Sequence, residues 1–148
     1  MPHTYTNLLV HIVFATKERF PLIQSEIESR LYEYIGGTIR TLGGVCLEIG
    51  GVEDHIHMLV KLKPTMNVSV FLEKLKPAVT KWARATIHPK FEWQVGYGAF
   101  SVGESQVPSV RSYIQNQKIH HKRQSFDDEF KDMLSGAGIE YDERYLWK

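Results

Sequence analysis

Two histidines, His55 and His57, lie one residue apart in the segment EDHIHMLV. Side chains of a β-strand alternate between the two faces of its sheet, so both imidazoles should project from one face while Ile56 points to the other. Two imidazoles at that spacing can bind one metal ion. Two structural histidines would show the same pattern. Histidine ligands alone would also tolerate zinc, iron or nickel, so the spacing does not select the metal.

A second group of polar residues lies in the segment VRSYIQNQKIHHK. On a helix, Tyr113 and Gln117 stand four residues apart, and either His120 or His121 continues the same stripe. A partly buried tyrosine beside a polar helix face would also produce this pattern. The alternative to packing is a row of chemically active side chains on one basic helix.

Taken together, the two groups indicate chemistry at a phosphate. A tyrosine hydroxyl is a poor nucleophile near neutral pH because its pKa is about 10. It becomes useful for attack on phosphorus when a metal ion polarises the phosphate oxygens. A ligand set of His55, His57 and Gln117 is neutral and leaves the ion its full charge. A phosphate bonded to Tyr113 would conserve the energy of the phosphodiester, so a cut strand could be rejoined elsewhere.

The elements that must position these residues follow from the hydropathy pattern. Ser25 with Glu28 predicts a capping box at the start of the first helix. Asn67 or Ser69 should open the second helix, and Pro77 should kink it or divide it in two. Apolar periodicity predicts helices over residues 25–42, 68–87, 108–122 and 126–134, and strands over residues 8–15, 45–51, 55–62 and, with an irregular segment, 91–102.

The order of elements is β-α-β-β-α-β followed by helices, with an acidic hairpin turn at Glu53 and Asp54. That order is the split βαβ pattern of ferredoxin-like and RNA-recognition-like folds, in the α+β class. We therefore expect an antiparallel sheet with helices on one face and extra C-terminal helices that carry Tyr113. The other face of the sheet would be free for a site. The chain shows no repeat or long linker, which predicts one domain over residues 1–148.

The charge of the chain is unevenly distributed although its net value is only +1. Residues 55–123 hold 11 basic and 3 acidic residues, a net +8, whereas residues 1–54 carry net −3 and residues 124–148 net −4. The middle section therefore suits a polyanion, although ordinary solvated helix faces would look similar.

The remaining bulk features bound the class of protein. The single cysteine, Cys46, excludes an internal disulfide framework and fits a reducing, cytoplasmic interior. No segment approaches the roughly 18 consecutive apolar residues of a membrane span. The N-terminus lacks the basic start and cleavage site of a signal peptide. We expect a soluble cytoplasmic protein with no membrane partner.

At its chemically active residues the sequence resembles the HUH single-tyrosine transposases of small bacterial insertion sequences and their REP-associated relatives. The resemblance rests on the His-hydrophobic-His strand, His55-Ile56-His57, and the Tyr-x-x-x-Gln helix from Tyr113 to Gln117. The segments NLLVHIVFATKERFPLI, LKPAVTKWA, WQVGYGAFSV and YDERYLW extend it over nearly the whole chain. Pro77 departs from the family pattern, where relatives often carry a small or polar residue.

The resemblance implies a mechanism and partners. His55, His57 and Gln117 would hold one Mg²⁺ or Mn²⁺ ion, and Tyr113 would attack single-stranded DNA to leave a 5′-phosphotyrosine and a free 3′-OH. Family members are homodimers, in many of which the tyrosine helix works on the partner's histidines, and they recognise hairpins near the element's ends. The predicted DNA-binding cations are Arg111, Lys118, Lys122, Arg123 and Lys61.

Three other functions are compatible with parts of the pattern. A domesticated relative would bind hairpin DNA or RNA without cutting it, although the filled catalytic positions argue against this. A metal-dependent hydrolase of small phosphate esters would need neither the basic middle section nor the tyrosine. Replication initiators and plasmid nickases use the same chemistry, but they are usually larger than 148 residues.

Overall fold

A computed structural model, which describes residues 3–146, contains a four-stranded antiparallel sheet in the order β2-β3-β1-β4. The predicted α+β order of elements is confirmed. The strands are β1 Leu8–Ala15, β2 Val45–Val52, β3 His55–Leu62 and β4 Gly98–Val102. The helices are α1 Ser25–Thr41, α2 Val68–Thr86, α3 Val107–Gln115, α4 Gln117–His120 and α5 Phe126–Gly136. Among the described residues, no helix is long and apolar enough to span a bilayer.

The two faces of the sheet pack against different helices because side chains alternate along each strand. Ile12 and Met58, with other even-numbered residues of β1 and β3, form the main core with α1 and α2. On the opposite face, Val13 packs against α5, and Leu59 packs against Ile114 of α3. The C-terminal helices thus cover much of the second face, and the site forms between them and the sheet.

The β2–β3 hairpin closes at the predicted acidic turn. The backbone carbonyl of Asp54 accepts a hydrogen bond from the Thr16 N–H at 2.9 Å, and that of Glu53 accepts one from the Ile23 N–H at 2.9 Å. These bonds tie the turn to the chain that leaves β1. The start of β3 is therefore held from two sides.

Of the two predicted helix starts, one is wrong and the other is confirmed. The capping box at Ser25 is wrong, because the N-cap is Gln24 and the Ser25 hydroxyl bonds to Glu26 instead. Asn67 does cap α2, where its side chain accepts from the Val70 N–H at 2.8 Å.

Of the two outcomes predicted at Pro77, a kink or a division into two helices, the division is wrong, since one helix continues through it. Pro77 is exposed, and so is Glu73, whose carbonyl loses its helical partner. Water can reach that carbonyl, which lowers the cost of the missing bond.

Two predicted elements are shorter than expected. The strand predicted over 91–102 begins only at Gly98, because Phe91 and Trp93 turn into the core, where Trp93 packs edge-on against Phe14 at 4.8 Å between ring centroids. The helix predicted over 108–122 breaks at Asn116 into α3 and α4. The Asn116 side chain and its backbone N–H both donate to the Ser112 carbonyl, at 2.9 and 3.1 Å, and α3 ends there.

Candidate metal centre and tyrosine site

The floor of the site is formed by the C-terminal end of β1 and the N-terminal end of β3. His55 and His57 lie on the same face of β3, opposite Ala15 and Val13 of β1, and both are fully buried. His55 Nδ1 lies 2.8 Å from Asp54 Oδ1. Because an ionised carboxylate only accepts hydrogen bonds, Nδ1 carries the proton, and a neutral His55 keeps the lone pair of Nε2 for the interior of the site. Asp54 is therefore both a turn residue and a partner of His55.

A third histidine supports the floor from β1. His11 Nε2 lies 2.9 Å from His57 Nδ1, and both rings are buried. Burial, followed by the nearby His57, lowers the pKa of His11 to about 3, and burial lowers the pKa of His57 to about 4. Both rings are thus neutral at physiological pH, each with one N–H, and one of these protons lies in the hydrogen bond between them. When His57 donates that proton from Nδ1, its Nε2 is free to bind a metal ion.

The roof of the site comes from α3, α4 and the residues that follow. Gln117 is 1% exposed and donates from Nε2 to the Tyr113 carbonyl at 3.3 Å, which keeps the two residues together across the helix break. Its Oε1 lies 2.9 Å from His121 Nε2. His121 Nε2 in turn lies 3.0 Å from His55 Nε2. His121 therefore contacts His55 directly, and Gln117 is held beside His121.

Helix α5 adds a carboxylate to the centre of the site. Glu129 is 1% exposed, and its Oε1 lies 3.1 Å from His121 Nε2, 3.3 Å from His57 Nε2 and 3.5 Å from His55 Nε2. Burial by itself would raise the pKa of this carboxyl. The close contacts with the three histidines outweigh burial and hold the pKa of Glu129 well below its usual range.

The tyrosine hydroxyl contacts the same carboxylate from the other side. Tyr113 donates its hydroxyl proton to Glu129 Oε2, and His120 Nε2 lies 3.3 Å from that oxygen. The Tyr113 ring stands edge-on to His57 at 5.6 Å between centroids. Burial, together with the negative Glu129, raises the pKa of Tyr113 above its ordinary value, because both disfavour the phenolate.

The donor set fits a divalent metal ion. His55, His57, His121 and Glu129 each offer one ligand atom, and the four atoms lie within 4.8 Å of one another. Imidazole nitrogens and a carboxylate oxygen are the donors that divalent ions use in proteins. Because Asp54 holds the proton of His55 on Nδ1, the 3.0 Å contact between His55 Nε2 and His121 Nε2 brings a lone pair into the centre of the set. The predicted ligand Gln117 stands beside this set, bonded to His121.

Two of the five predicted DNA-binding cations lie at an opening beside the site. Lys118 and Lys122 line a cavity of about 480 Å³, together with Arg19, Asp54 and His121. His121 thus connects the buried donor set to this cavity. Its lining combines these basic side chains with the acidic Glu53 and Asp54.

The other three predicted cations lie elsewhere. Arg111 is exposed on α3 and forms an ion pair with Glu48 at 3.5 Å. Arg123 is exposed beyond α4. Lys61 shares the site-facing side of β3 with His57 but lies near the opposite end of that strand. None of these three side chains lines the cavity of Lys118 and Lys122.

Glu129 is the central residue that the sequence reasoning missed. It lies in the apolar stripe of α5, between Phe126 and Phe130, both buried, and in line with the buried Leu134. A carboxylate inside the buried stripe of an amphipathic helix was the available signal, because such a group needs buried partners.

Comparison with known proteins gives consistent matches. The model of the family described as "Transposase IS200 like" matches residues 4–117. The chain is 29% identical over 124 residues to the transposase for insertion sequence element IS200 of Salmonella typhimurium strain LT2, and equally to that of Salmonella typhi. In each case the match covers 79% of this chain and 81% of the relative.

Solved structures share the fold. A candidate transposase from Deinococcus radiodurans R1 superposes with a TM-score of 0.63 at 23% identity, over 78% of this chain and 94% of that one. A REP-associated tyrosine transposase bound to a REP hairpin also gives 0.63, at 14% identity, over 91% of this chain and 85% of that one. The family match ends at Gln117, so His121 and Glu129 lie beyond it.

Proposed function

Because this chain belongs to the family of IS200-like transposases, we propose that it cuts and rejoins single-stranded DNA at the ends of an insertion element through a covalent bond to Tyr113. The observation that supports this most directly is the position of the Tyr113 hydroxyl. It bonds to Glu129, the carboxylate whose other oxygen lies within 3.5 Å of the Nε2 atoms of three histidines. A nucleophile and a metal-binding set thus meet at one carboxylate.

The proposed substrate is single-stranded DNA that carries hairpins near the cleavage sites. One structural relative is described as bound to a REP hairpin. The basic side chains of Lys118 and Lys122, at the cavity beside His121, would hold the phosphates of the strand as it enters. Arg111, Arg123 and Lys61 would act farther along the nucleic acid.

The chemistry is an exchange of one phosphodiester for another. The Tyr113 hydroxyl loses its proton, its oxygen bonds to phosphorus, and the bond from phosphorus to the 3′ oxygen breaks. The 3′ oxygen then takes up a proton, so the products are a 5′-phosphotyrosine and a free 3′-OH. Reversal with a different 3′-OH rejoins the strand.

The proposed cofactor is one Mg²⁺ or Mn²⁺ ion held by His55 and His57 with Gln117 or His121. When bound, the ion polarises the phosphate oxygens and offsets the charge that develops on them. The chain's own contribution is to fix the ligands, because Asp54 and His11 hold the two strand histidines from behind. Exclusion of water by the buried floor strengthens every charge interaction there.

One chain supplies every group that this mechanism requires. Tyr113 lies against the His57 of its own chain, so we propose that the tyrosine acts in cis. The homodimer implied by the family resemblance stays a prediction, and it would serve to bring two DNA ends together rather than to complete a site.

The experiment that tests the proposal is a covalent-adduct assay. Labelled single-stranded DNA that covers the ends of the protein's own genomic locus is incubated with protein and Mn²⁺ and then run on a denaturing gel. We expect a metal-dependent adduct that is absent in Tyr113→Phe and reduced about 100-fold or more in His57→Ala, a loss of roughly 2.7 kcal/mol of transition-state stabilisation. Tyr97→Phe, at a 42% exposed tyrosine, is the matched control and should form adduct normally.

Two results would change the assignment. An adduct that survives Tyr113→Phe means that another residue is the nucleophile. Tight binding of the same strands without any adduct means that the chain is a hairpin-binding protein that has lost cleavage.

A further inference from the structure

The burial of Glu129 needs an explanation that packing does not provide. An ionised carboxylate is costly to bury unless charged or hydrogen-bonding partners surround it. A glutamine or an apolar residue at this position of α5 would satisfy the same helix stripe at lower cost. Yet this carboxylate is 1% exposed and is aimed at the histidines of β3 rather than at a cation of the surface.

The two oxygens of Glu129 have different partners. Oε1 lies 3.1–3.5 Å from the Nε2 atoms of His55, His57 and His121. Oε2 accepts the hydroxyl proton of Tyr113 and lies 3.3 Å from His120. One side chain therefore contacts both the metal-binding set and the reacting hydroxyl.

We propose that Glu129 is a catalytic residue with two simultaneous contacts: Oε1 is a ligand of the divalent ion, and Oε2 holds the Tyr113 hydroxyl beside it. This inference rests on the proposed function. It changes the neutral set of two histidines and a glutamine into an anionic one, and carboxylate oxygen is a donor that suits Mg²⁺ and Mn²⁺. It also gives α5 a function, because the helix delivers the ligand that fixes the distance between the nucleophile and the ion.

The position of α5 supports a specific delivery of Glu129. Phe126 and Phe130, on either side of Glu129, pack on Val13 and Ala15 of β1, close to the strand register of the two histidines. Phe126 also stacks on the His55 ring at 3.9 Å between centroids. The aromatic anchors thus set the depth at which the carboxylate enters the site.

The test measures metal binding without DNA, so that it does not depend on cleavage. Mn²⁺ is titrated by calorimetry into wild-type protein, Glu129→Gln and Glu129→Ala. Asp128→Asn, which removes the neighbouring exposed carboxylate of the same helix, is the matched control. We expect both Glu129 variants to bind Mn²⁺ at least about 10-fold more weakly than wild type and Asp128→Asn to bind it normally. Circular dichroism in EDTA shows whether each variant is folded, and Glu129→Gln preserves the shape of the side chain.

The adduct assay at saturating Mn²⁺ tests the second contact. There Glu129→Gln should slow adduct formation about 10-fold or more, because the amide oxygen is a weaker acceptor for the hydroxyl, and Glu129→Ala should slow it further. Unchanged Mn²⁺ affinity in folded Glu129→Gln overturns the ligand role, and an unchanged adduct rate overturns the contact with Tyr113. If wild-type protein forms no adduct, the proposed function fails, whereas the calorimetry still decides whether Glu129 binds the ion.

Discussion

At the scale of single residues, the candidate site includes groups that support the donor set without belonging to it. His11 contacts the metal-binding set only through His57, by the 2.9 Å contact between His11 Nε2 and His57 Nδ1. Outer partners of this kind fix the orientation and proton position of a ligand histidine, and their loss typically costs 10–100-fold in metal affinity. We therefore expect His11 to support metal binding although it lies on a different strand.

We expect His11→Phe to weaken Mn²⁺ binding by about 10-fold while the protein stays folded. Phenylalanine fills a similar volume in the buried position but offers His57 no partner for Nδ1. The measurement is calorimetric titration with Mn²⁺. His88→Phe, at an exposed histidine outside the sheet, is the control and should bind the ion as wild type does. Equal affinity in His11→Phe would show that His57 is oriented by its strand alone.

At the scale of elements, the approach of α3 to the sheet sets the height of Tyr113 above the histidines. Gly50 of β2 lies opposite His57, and a Cβ at Gly50 would stand 2.6 Å from the backbone oxygen of Ile114. Ile114 directly follows Tyr113, so the absence of a side chain at Gly50 permits the close contact that places the hydroxyl. A backbone oxygen cannot move aside as a flexible side chain can.

Gly50→Ala should therefore lift the C-terminal end of α3, cost about 1–3 kcal/mol of unfolding free energy, and reduce adduct formation. The matched control is Gly36→Ala in α1, where the added methyl group meets only the Arg40 guanidinium at 4.0 Å. That change should be neutral or add up to roughly 1 kcal/mol of stability through helix propensity. Urea denaturation measures both variants. A Gly50→Ala protein with wild-type stability would mean that α3 adjusts freely over β2.

Sequence pattern predicted those parts of the molecule that depend on local periodicity. Strand alternation placed His55 and His57 on one face, and helical spacing joined Tyr113 to Gln117 despite the break at Asn116. Glu129 could not be placed in this way, because its neighbours are decided by how α5 docks on β1, a contact between distant parts of the chain.

The errors at the ends of elements have identifiable causes. The N-cap of α1 is Gln24 rather than Ser25, and a shift of one residue at a helix end is smaller than capping patterns can resolve. The aromatic residues of 91–102 favour a strand with an irregular segment, but the ring of Trp93 is buried against Phe14 in the main core and the regular strand begins only at Gly98. Tertiary packing decides such positions.

At the scale of the whole molecule, the basic middle section is partly neutralised by the acidic ends. Lys118 forms an ion pair with Glu28, and Arg111 forms one with Glu48. Across residues 3–146, Lys122 makes no ion pair and lines the cavity beside the donor set. The net charge of +8 in the sequence therefore overstates the charge that a DNA strand would meet. Lys122, which is not neutralised by an ion pair among these residues, contributes more of that charge than Lys118 or Arg111 does.

Salt dependence of binding distinguishes these cations. Each phosphate contact to single-stranded nucleic acid contributes about 0.7 to the slope of log affinity against log salt concentration. We expect Lys122→Ala to lower the affinity for single-stranded DNA and to reduce that slope by about 0.7, measured by fluorescence anisotropy between about 50 and 200 mM salt. Lys118→Ala should have a smaller effect, because Glu28 already competes for its ammonium group.

The control is Lys63→Ala, which belongs to the same basic section but follows β3 at the end opposite His55, roughly 26 Å along the strand. If Lys63→Ala changes the slope and Lys122→Ala does not, the strand approaches over the other end of the sheet, and the cavity at His121 is not its entrance.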